Sequence, residues 1–168
     1  MSAIPPGGSP HGIATLSGNN ESPGKGQTEL VGGTGGGPFR ITHPAGLPVI
    51  GVRWRPGKWA GRDLIGRLEP LYSEETARGW QTVIARKGYA VGAIQVDGDE
   101  FVNAVRIAFM RIEGDRLMTS DTYVSEWIGK PTPDAQLKTL NGHGARILGI
   151  YGRQTIIVDA IGLVFDDS

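Results

Sequence analysis

The sequence contains one pattern three times, and this internal repeat restricts the possible folds more than any other feature. Each copy reads apolar residue, Gly, apolar residue and a turn, followed by Asp or Asn, any residue, and Ile or Val. A single β-hairpin is marginally stable in water, so repeated hairpins must pack their apolar faces together. We therefore expect a pseudo-threefold all-β body. The copies run from Gly51 to Asp63, from Gly92 to Asn103 and from Gly149 to Asp159.

The remaining patterns also favour strands. In Val105–Met110, apolar side chains alternate in the period of two that a half-buried strand requires. The one candidate helix, Ser73–Gly88, contains Gly79 and β-branched residues that weaken it. We predict a loop there instead, followed by a strand at Gln81–Ala85, and therefore no substantial helix in the chain.

Composition suggests a tail and a single domain. Residues 1–28 are rich in Gly, Pro, Ser and Asn and hold few bulky apolar groups, so they are expected to be a flexible tail. Residues 29–168 are expected to form the β-domain. The N-terminus has neither the basic start nor the apolar stretch of a secretory signal, which favours a cytoplasmic or non-classically exported protein.

Charge and residue types argue against several classes of function. The chain has 17 basic and 17 acidic residues, which gives no reason to expect a nucleic acid partner, and its apolar runs are too short for membrane insertion. It has no Cys, and its three His are isolated, so we expect no metal site and no cofactor. Neither a phosphate-binding loop nor a nucleophile motif is present, which predicts a protein that is not an enzyme.

Two glycine-containing segments suggest a family. The first, GGTGGGPF, carries Gly32, Gly33, Gly35 and Gly36 before Phe39. The second, GIYGRQTIIVDAIGLVF, runs from Gly149 to Phe165. Together with the three hairpins, these segments resemble the jacalin-related lectins over roughly residues 30–165.

The resemblance implies both a fold and a site. The fold would be β-prism I, with three four-stranded Greek-key sheets around a pseudo-threefold axis. In the family, a Gly-x-x-x-Asp turn binds a monosaccharide, and Asp159 stands at its Asp position. Thr155 occupies the Gly position, so the sugar-site motif is degenerate. The resemblance implies a carbohydrate-binding site formed by Gly36, Gln154, Thr155, Ile156 and Asp159. Trp59 is added to this set as an aromatic candidate.

Asp159 and Trp59 each have a second interpretation. Asp159 can accept sugar hydroxyls, or it can cap its own turn by accepting backbone N–H groups. Because Asp63 and Asn103 stand at equivalent places in the repeat, a shared structural role is the simpler explanation. Trp59 lies in a predicted turn, where it can stack on a sugar at another face of the domain or pack on the core.

Two functions from different classes follow. The first is a non-catalytic, lectin-like module that binds a carbohydrate or glycan directly. The second is a structural protein that assembles into homo-oligomers or filaments through its N-terminal tail and its sheet edges.

Overall fold

The structure is a computed structural model that describes residues 26–168, and all regular elements in this range are β-strands. The predicted all-β fold is therefore confirmed. The twelve strands are β1 (Val31–Gly32), β2 (Gly37–Thr42), β3 (Gly51–Trp59), β4 (Arg62–Leu71), β5 (Gln81–Ile84), β6 (Tyr89–Gly98), β7 (Val102–Glu113), β8 (Arg116–Val124), β9 (Ile128–Gly129), β10 (Lys138–Asn141), β11 (Ile147–Gln154) and β12 (Val158–Phe165).

The strands form three antiparallel sheets, as the β-prism prediction requires. One sheet has four strands in the order β1-β12-β11-β2, and another has three in the order β4-β3-β5. The remaining sheet has five strands. Four of them lie in the order β10-β6-β7-β8, and β9 pairs with a different part of β7 on the same side as β8. The strands are thus distributed as four, five and three rather than four in each sheet.

The three repeated segments form the central hairpin of each sheet, namely β3–β4, β6–β7 and β11–β12. The pairing register skips one residue in β3–β4 and two in each of the other hairpins, where Gly92 and Leu148 are skipped at the end far from the turn. In each hairpin one skip lies nearest the turn. The extra residue is Asn103 in β7 and Asp159 in β12, but it is Gly66 in β4, where Asp63 instead pairs with Lys58. Asn103 and Asp159 therefore share a bulge position that Asp63 does not occupy.

The apolar faces of the three hairpins meet in one core. Its largest fully buried side chains come from all three sheets and contribute about 1.5–3 kcal/mol each through burial. They include Ile65, Leu68, Ile94, Ile107, Phe109, Ile147, Ile150, Ile161 and Leu163.

Two sequence boundaries can be compared with the structure. The segment before β5 contains no helix, and β5 ends at Ile84, one residue before the predicted end of that strand. Most of the predicted tail, residues 1–25, lies outside the described residues. Gln27 pairs with Val164, and the Thr28 amide donates to the Leu163 carbonyl at 2.9 Å, so these two residues pack against β12.

An ion pair connects the residues that follow β12 to the segment before β11. Arg146 donates to Asp166 at 2.7 Å, and the Asp166 amide donates to the Arg146 carbonyl at 2.8 Å. A hydrogen bond from the Ser168 hydroxyl, followed by that from Arg146, lowers the pKa of Asp166 from 3.8 to about 2. These contacts favour the ionised carboxylate in the folded state.

This pKa predicts a small loss of stability in acid. A carboxyl group whose pKa is lower in the folded than in the unfolded state stabilises the fold at pH values above its unfolded pKa. For Asp166 this contribution disappears as the pH falls from about 4 to about 2. Urea unfolding across that interval is expected to show a weaker pH dependence for Asp166→Asn than for the wild type. Equal slopes for the two proteins would contradict the assignment.

Candidate functional site

The turn between β3 and β4 presents Trp59 to solvent. Its two central residues, Ala60 and Gly61, have φ angles of 52° and 78°. Two successive positive φ angles define the type I′ turn, which matches the twist of a two-residue hairpin. Trp59 is the last residue before this turn, and 51% of its surface is exposed.

The turn between β11 and β12 places a carboxylate beside a hydroxyl. The Thr155 Oγ1 atom donates to Asp159 Oδ2 at 3.1 Å and accepts from the Ile157 amide at 3.4 Å. Thr155 does not adopt a positive φ, so the turn accommodates its β-carbon without the strain that a left-handed conformation would cause. Asp159 is only 7% exposed, and within the described residues its Oδ1 atom has no hydrogen-bond partner.

The glycine-rich segment before β2 lies directly against this carboxylate. A β-carbon on Gly35 would lie 3.2 Å from Asp159 Oδ1, and one on Gly36 would lie 2.6 Å from Oδ2. Gly36 also has a φ of 73°. The Arg153 guanidinium donates to both glycine carbonyls, at 3.0 Å for Gly35, and this holds the segment over the turn. The glycines are therefore needed for close approach as well as for backbone conformation.

The turn between β6 and β7 forms the opposite side. The Glu100 amide donates to Asp99 Oδ1 at 2.6 Å, and the Asp99 amide donates to the Phe101 carbonyl at 3.0 Å, which fixes the turn locally. A β-carbon on Gly33 would lie 2.0 Å from the Glu100 carbonyl oxygen. The glycine-rich segment is thus packed between the β6–β7 and β11–β12 turns.

These four segments enclose one open depression, which we call the hairpin-tip cleft. Its volume is about 550 Å³, in the range of small-ligand sites. The residues that line it are Gly33, Thr34, Gly35, Gly36, Trp59, Asp99, Glu100, Phe101, Thr155, Ile157 and Asp159. Carboxylate oxygens, a hydroxyl and two aromatic rings are available there to a ligand.

The structure brings together four of the six predicted site residues. Gly36, Trp59, Thr155 and Asp159 all line the hairpin-tip cleft, so Trp59 shares a face with Asp159 rather than serving another face.

The other two predicted residues, Gln154 and Ile156, do not line the cleft. Gln154 pairs with Gly37 at the end of β11. Ile156 is 61% exposed, and a β-carbon on Gly57 would lie 2.9 Å from the Ile156 carbonyl oxygen.

The β6–β7 turn was missed by sequence reasoning. Asp99, Glu100 and Phe101 match no site motif, and their sequence indicates only a hairpin turn. The repeat could have indicated these residues, because equivalent turns of a pseudo-threefold body can meet at one end of it.

In the second hairpin, the residue equivalent to Asp159 has a structural role. Asn103 is buried, donates to Asp97 Oδ1 at 3.4 Å and accepts from Arg62 at 3.0 Å. Asp97 Oδ2 accepts from the Thr132 amide at 2.7 Å and from its hydroxyl at 3.0 Å. The two bulge residues thus have different surroundings, since Asn103 belongs to a buried network and Asp159 lines the cleft.

Two other features are absent from residues 26–168. No group of three or more His, Asp or Glu side chains in this range is arranged to hold a metal ion. The same residues contain no helix that is long and apolar enough to cross a membrane.

Comparisons with known proteins give similarity in structure only. No protein family and no curated protein matches the sequence. Among solved structures, Malaysian banana lectin is 12% identical with a TM-score of 0.58, covering 86% of this chain and 100% of its own. Artocarpin, a lectin with mannose specificity, is 12% identical with a TM-score of 0.59, covering 83% of this chain and 96% of its own.

A further structure agrees with these two. A mannose-binding jacalin-related lectin from Ananas comosus is 18% identical with a TM-score of 0.51, covering 83% of this chain and 95% of its own. At such low identities the agreement concerns the course of the backbone. Residues 26–168 therefore have the β-prism fold of the jacalin-related lectins.

Proposed function

We propose that the protein is a non-catalytic carbohydrate-binding module whose binding site is the hairpin-tip cleft. The observation that carries this proposal is the position of Asp159. Asp159 is nine-tenths buried as a residue, its carboxylate lies against Gly35 and Gly36, and it forms part of an open cleft with Trp59 on its wall. The fold adds support, because its structural neighbours include lectins.

The chemistry of the cleft suits a sugar. A carboxylate accepts hydrogen bonds only, and neighbouring sugar hydroxyls can donate to its two oxygens. Thr155 already occupies one direction at Oδ2, while Oδ1 has no partner among the described residues. An exposed indole such as that of Trp59 offers a flat apolar surface to the C–H face of a sugar ring.

The degenerate motif is compatible with this function. The Thr155 hydroxyl donates to the carboxylate and orients it, so the side chain that replaces glycine becomes part of the site. Binding through the remaining acceptor directions is expected to be weak, which is consistent with a non-catalytic recognition module.

Replacing Asp159 tests the proposal. Asp159→Ala and the more conservative Asp159→Asn are expected to weaken sugar binding about tenfold or more, since hydrogen bonds to a charged group contribute roughly 1.5–3 kcal/mol each. Glycan-array binding followed by calorimetric titration measures this loss, and thermal unfolding confirms that each variant is folded.

The repeat supplies a matched control. Asp63→Ala removes the acid that stands at the corresponding place in the sequence repeat of the first hairpin, which is exposed and pairs with Lys58 at 3.1 Å outside the cleft. Its affinity should equal that of the wild type. The proposal fails if the wild type binds no sugar at millimolar concentration, or if both Asp159 variants bind as the wild type does.

Self-assembly is a second candidate, favoured by one sheet edge. The second strand of each central hairpin carries an outer partner in two sheets, β1 on β12 and β9 on β7. Within residues 26–168, β4 has no such partner, and an open strand edge can pair with another chain. Light scattering of the full chain and of a form lacking residues 1–28 would distinguish a stable monomer from an assembly.

A further inference from the structure

We propose that the hairpin-tip cleft selects carbohydrates that carry positive charge, namely amino sugars such as oligomers of glucosamine. This inference rests on the proposed carbohydrate-binding function and adds the chemical class of the sugar. It follows from the charges that line the cleft, and from the partners of the basic side chains around it.

Three carboxylates line the cleft, and they come from two different turns. Asp99 and Glu100 are exposed at the β6–β7 turn, whereas Asp159 is nine-tenths buried in β12. Among the described residues that line the cleft there is no Lys, Arg or His. Carboxylates that line a concave surface and have no direct ionic partner present negatively charged acceptors to a cationic ligand.

Three basic side chains contact residues that line the cleft, although none of the three belongs to the lining itself. Arg62 lies over the Phe101 ring at 4.9 Å and donates to Asn103 Oδ1 at 3.0 Å. Arg153 donates to the carbonyls of Gly35 and Gly36, and Arg67 donates to the Thr155 carbonyl at 2.6 Å. Each of these cations is therefore held by other groups, and no ion pair with the three cleft carboxylates is formed within residues 26–168.

An amino sugar matches this surface better than a neutral sugar does. An ammonium group has three donors and no acceptor, which complements carboxylates that only accept. Asp159 Oδ1, unpaired among the described residues, is the buried acceptor available to it. The Trp59 face attracts a cation in addition to stacking on a sugar ring. A neutral sugar retains the hydrogen bonds and the stacking but lacks the charge attraction.

The test compares two ligands that differ in charge. The tetramer of glucosamine and the tetramer of N-acetylglucosamine are titrated calorimetrically into the full chain at about pH 6, where the amine is protonated. We expect the cationic tetramer to bind at least about tenfold more tightly. This preference should shrink when salt is raised from about 50 mM to about 500 mM, because the Debye length shortens.

Two double variants locate the effect. Replacing Asp99 by Asn and Glu100 by Gln removes two charges from the cleft and is expected to reduce the preference to about threefold or less. The matched control replaces Glu74 and Glu75 by Gln in the exposed loop before β5, which removes the same charge elsewhere. That control should keep the full preference.

The outcomes separate this inference from the proposed function. If the N-acetylated tetramer, or a neutral sugar, binds as tightly as the cationic tetramer, charge selection is wrong while carbohydrate binding stands. If no sugar binds, both fail. If tetralysine binds as tightly as the glucosamine tetramer, the cleft attracts cations without recognising a sugar, and the inference is also overturned.

Discussion

Gly36→Ala is expected to lower the free energy of unfolding by about 2–4 kcal/mol, because a left-handed backbone and a steric clash coincide there. Gly36 has a φ of 73°, and a β-carbon would lie 2.6 Å from both the Gln154 carbonyl oxygen and Asp159 Oδ2. Relief of that clash has to move the carboxylate or the β11–β12 turn. Sugar binding should therefore fall at least as far as in Asp159→Ala.

The neighbouring glycine provides the control for this prediction. Gly37 does not have a positive φ, and a β-carbon there would meet no atom within 4 Å. Gly37→Ala should change the free energy of unfolding by about 0.5 kcal/mol or less, as exposed substitutions usually do. Urea unfolding and sugar titration of both variants check the pair. Equal behaviour of the two would show that Gly36 does not set the geometry of the cleft.

Asp97→Ala is expected to cost about 2–4 kcal/mol of unfolding free energy, since it leaves three donors, one on the buried Asn103 and two on the half-buried Thr132, without this acceptor. The carboxylate is 4% exposed and accepts from Asn103 and from both the amide and the hydroxyl of Thr132. Removing it also releases Thr132 from β6. The loss should exceed that caused by any surface acid.

A graded series sharpens this prediction. Asp97→Asn should fall between Ala and the wild type, because its amide oxygen can still accept from Thr132 while its N–H₂ group opposes that of Asn103. Asp63→Ala, at an exposed acid, should cost about 0.5 kcal/mol or less. Chemical unfolding of the three variants tests the order. A cost for Asp97→Ala as small as that for Asp63→Ala would refute the network.

The fold could be predicted from the sequence because its information is local and repeated. Gly149 and Asp159 stand in the same relation as Gly92 and Asn103, and each such pair spans one hairpin whose register the turn and bulge determine. The number of strands in each sheet was harder to predict from the sequence. Strands as short as Ile128–Gly129 carry no periodic pattern, so they emerge only from pairing with β7.

The site was predicted where a motif marked it and missed where only packing creates it. Asp159 and Gly36 are recognisable from the two glycine-containing segments. For Trp59 the sequence leaves open whether the side chain packs on the core or stacks on a sugar at another face, because nothing in the local sequence shows which hairpin ends meet. Asp99 and Phe101 reach the cleft through the contact of the β6–β7 turn with Gly33, a relation between distant parts of the chain.

The construction of the cleft from separate hairpin ends has a consequence for how such a protein can acquire new specificity. Each wall belongs to a different turn, while the strand registers are determined by paired backbones and bulges well inside the sheets. Side chains that line the cleft at one turn can therefore be exchanged without altering the strand registers or the core. Recognition and folding are in this sense separately adjustable, and a library confined to positions 59 and 99–101 would vary the ligand while conserving the scaffold.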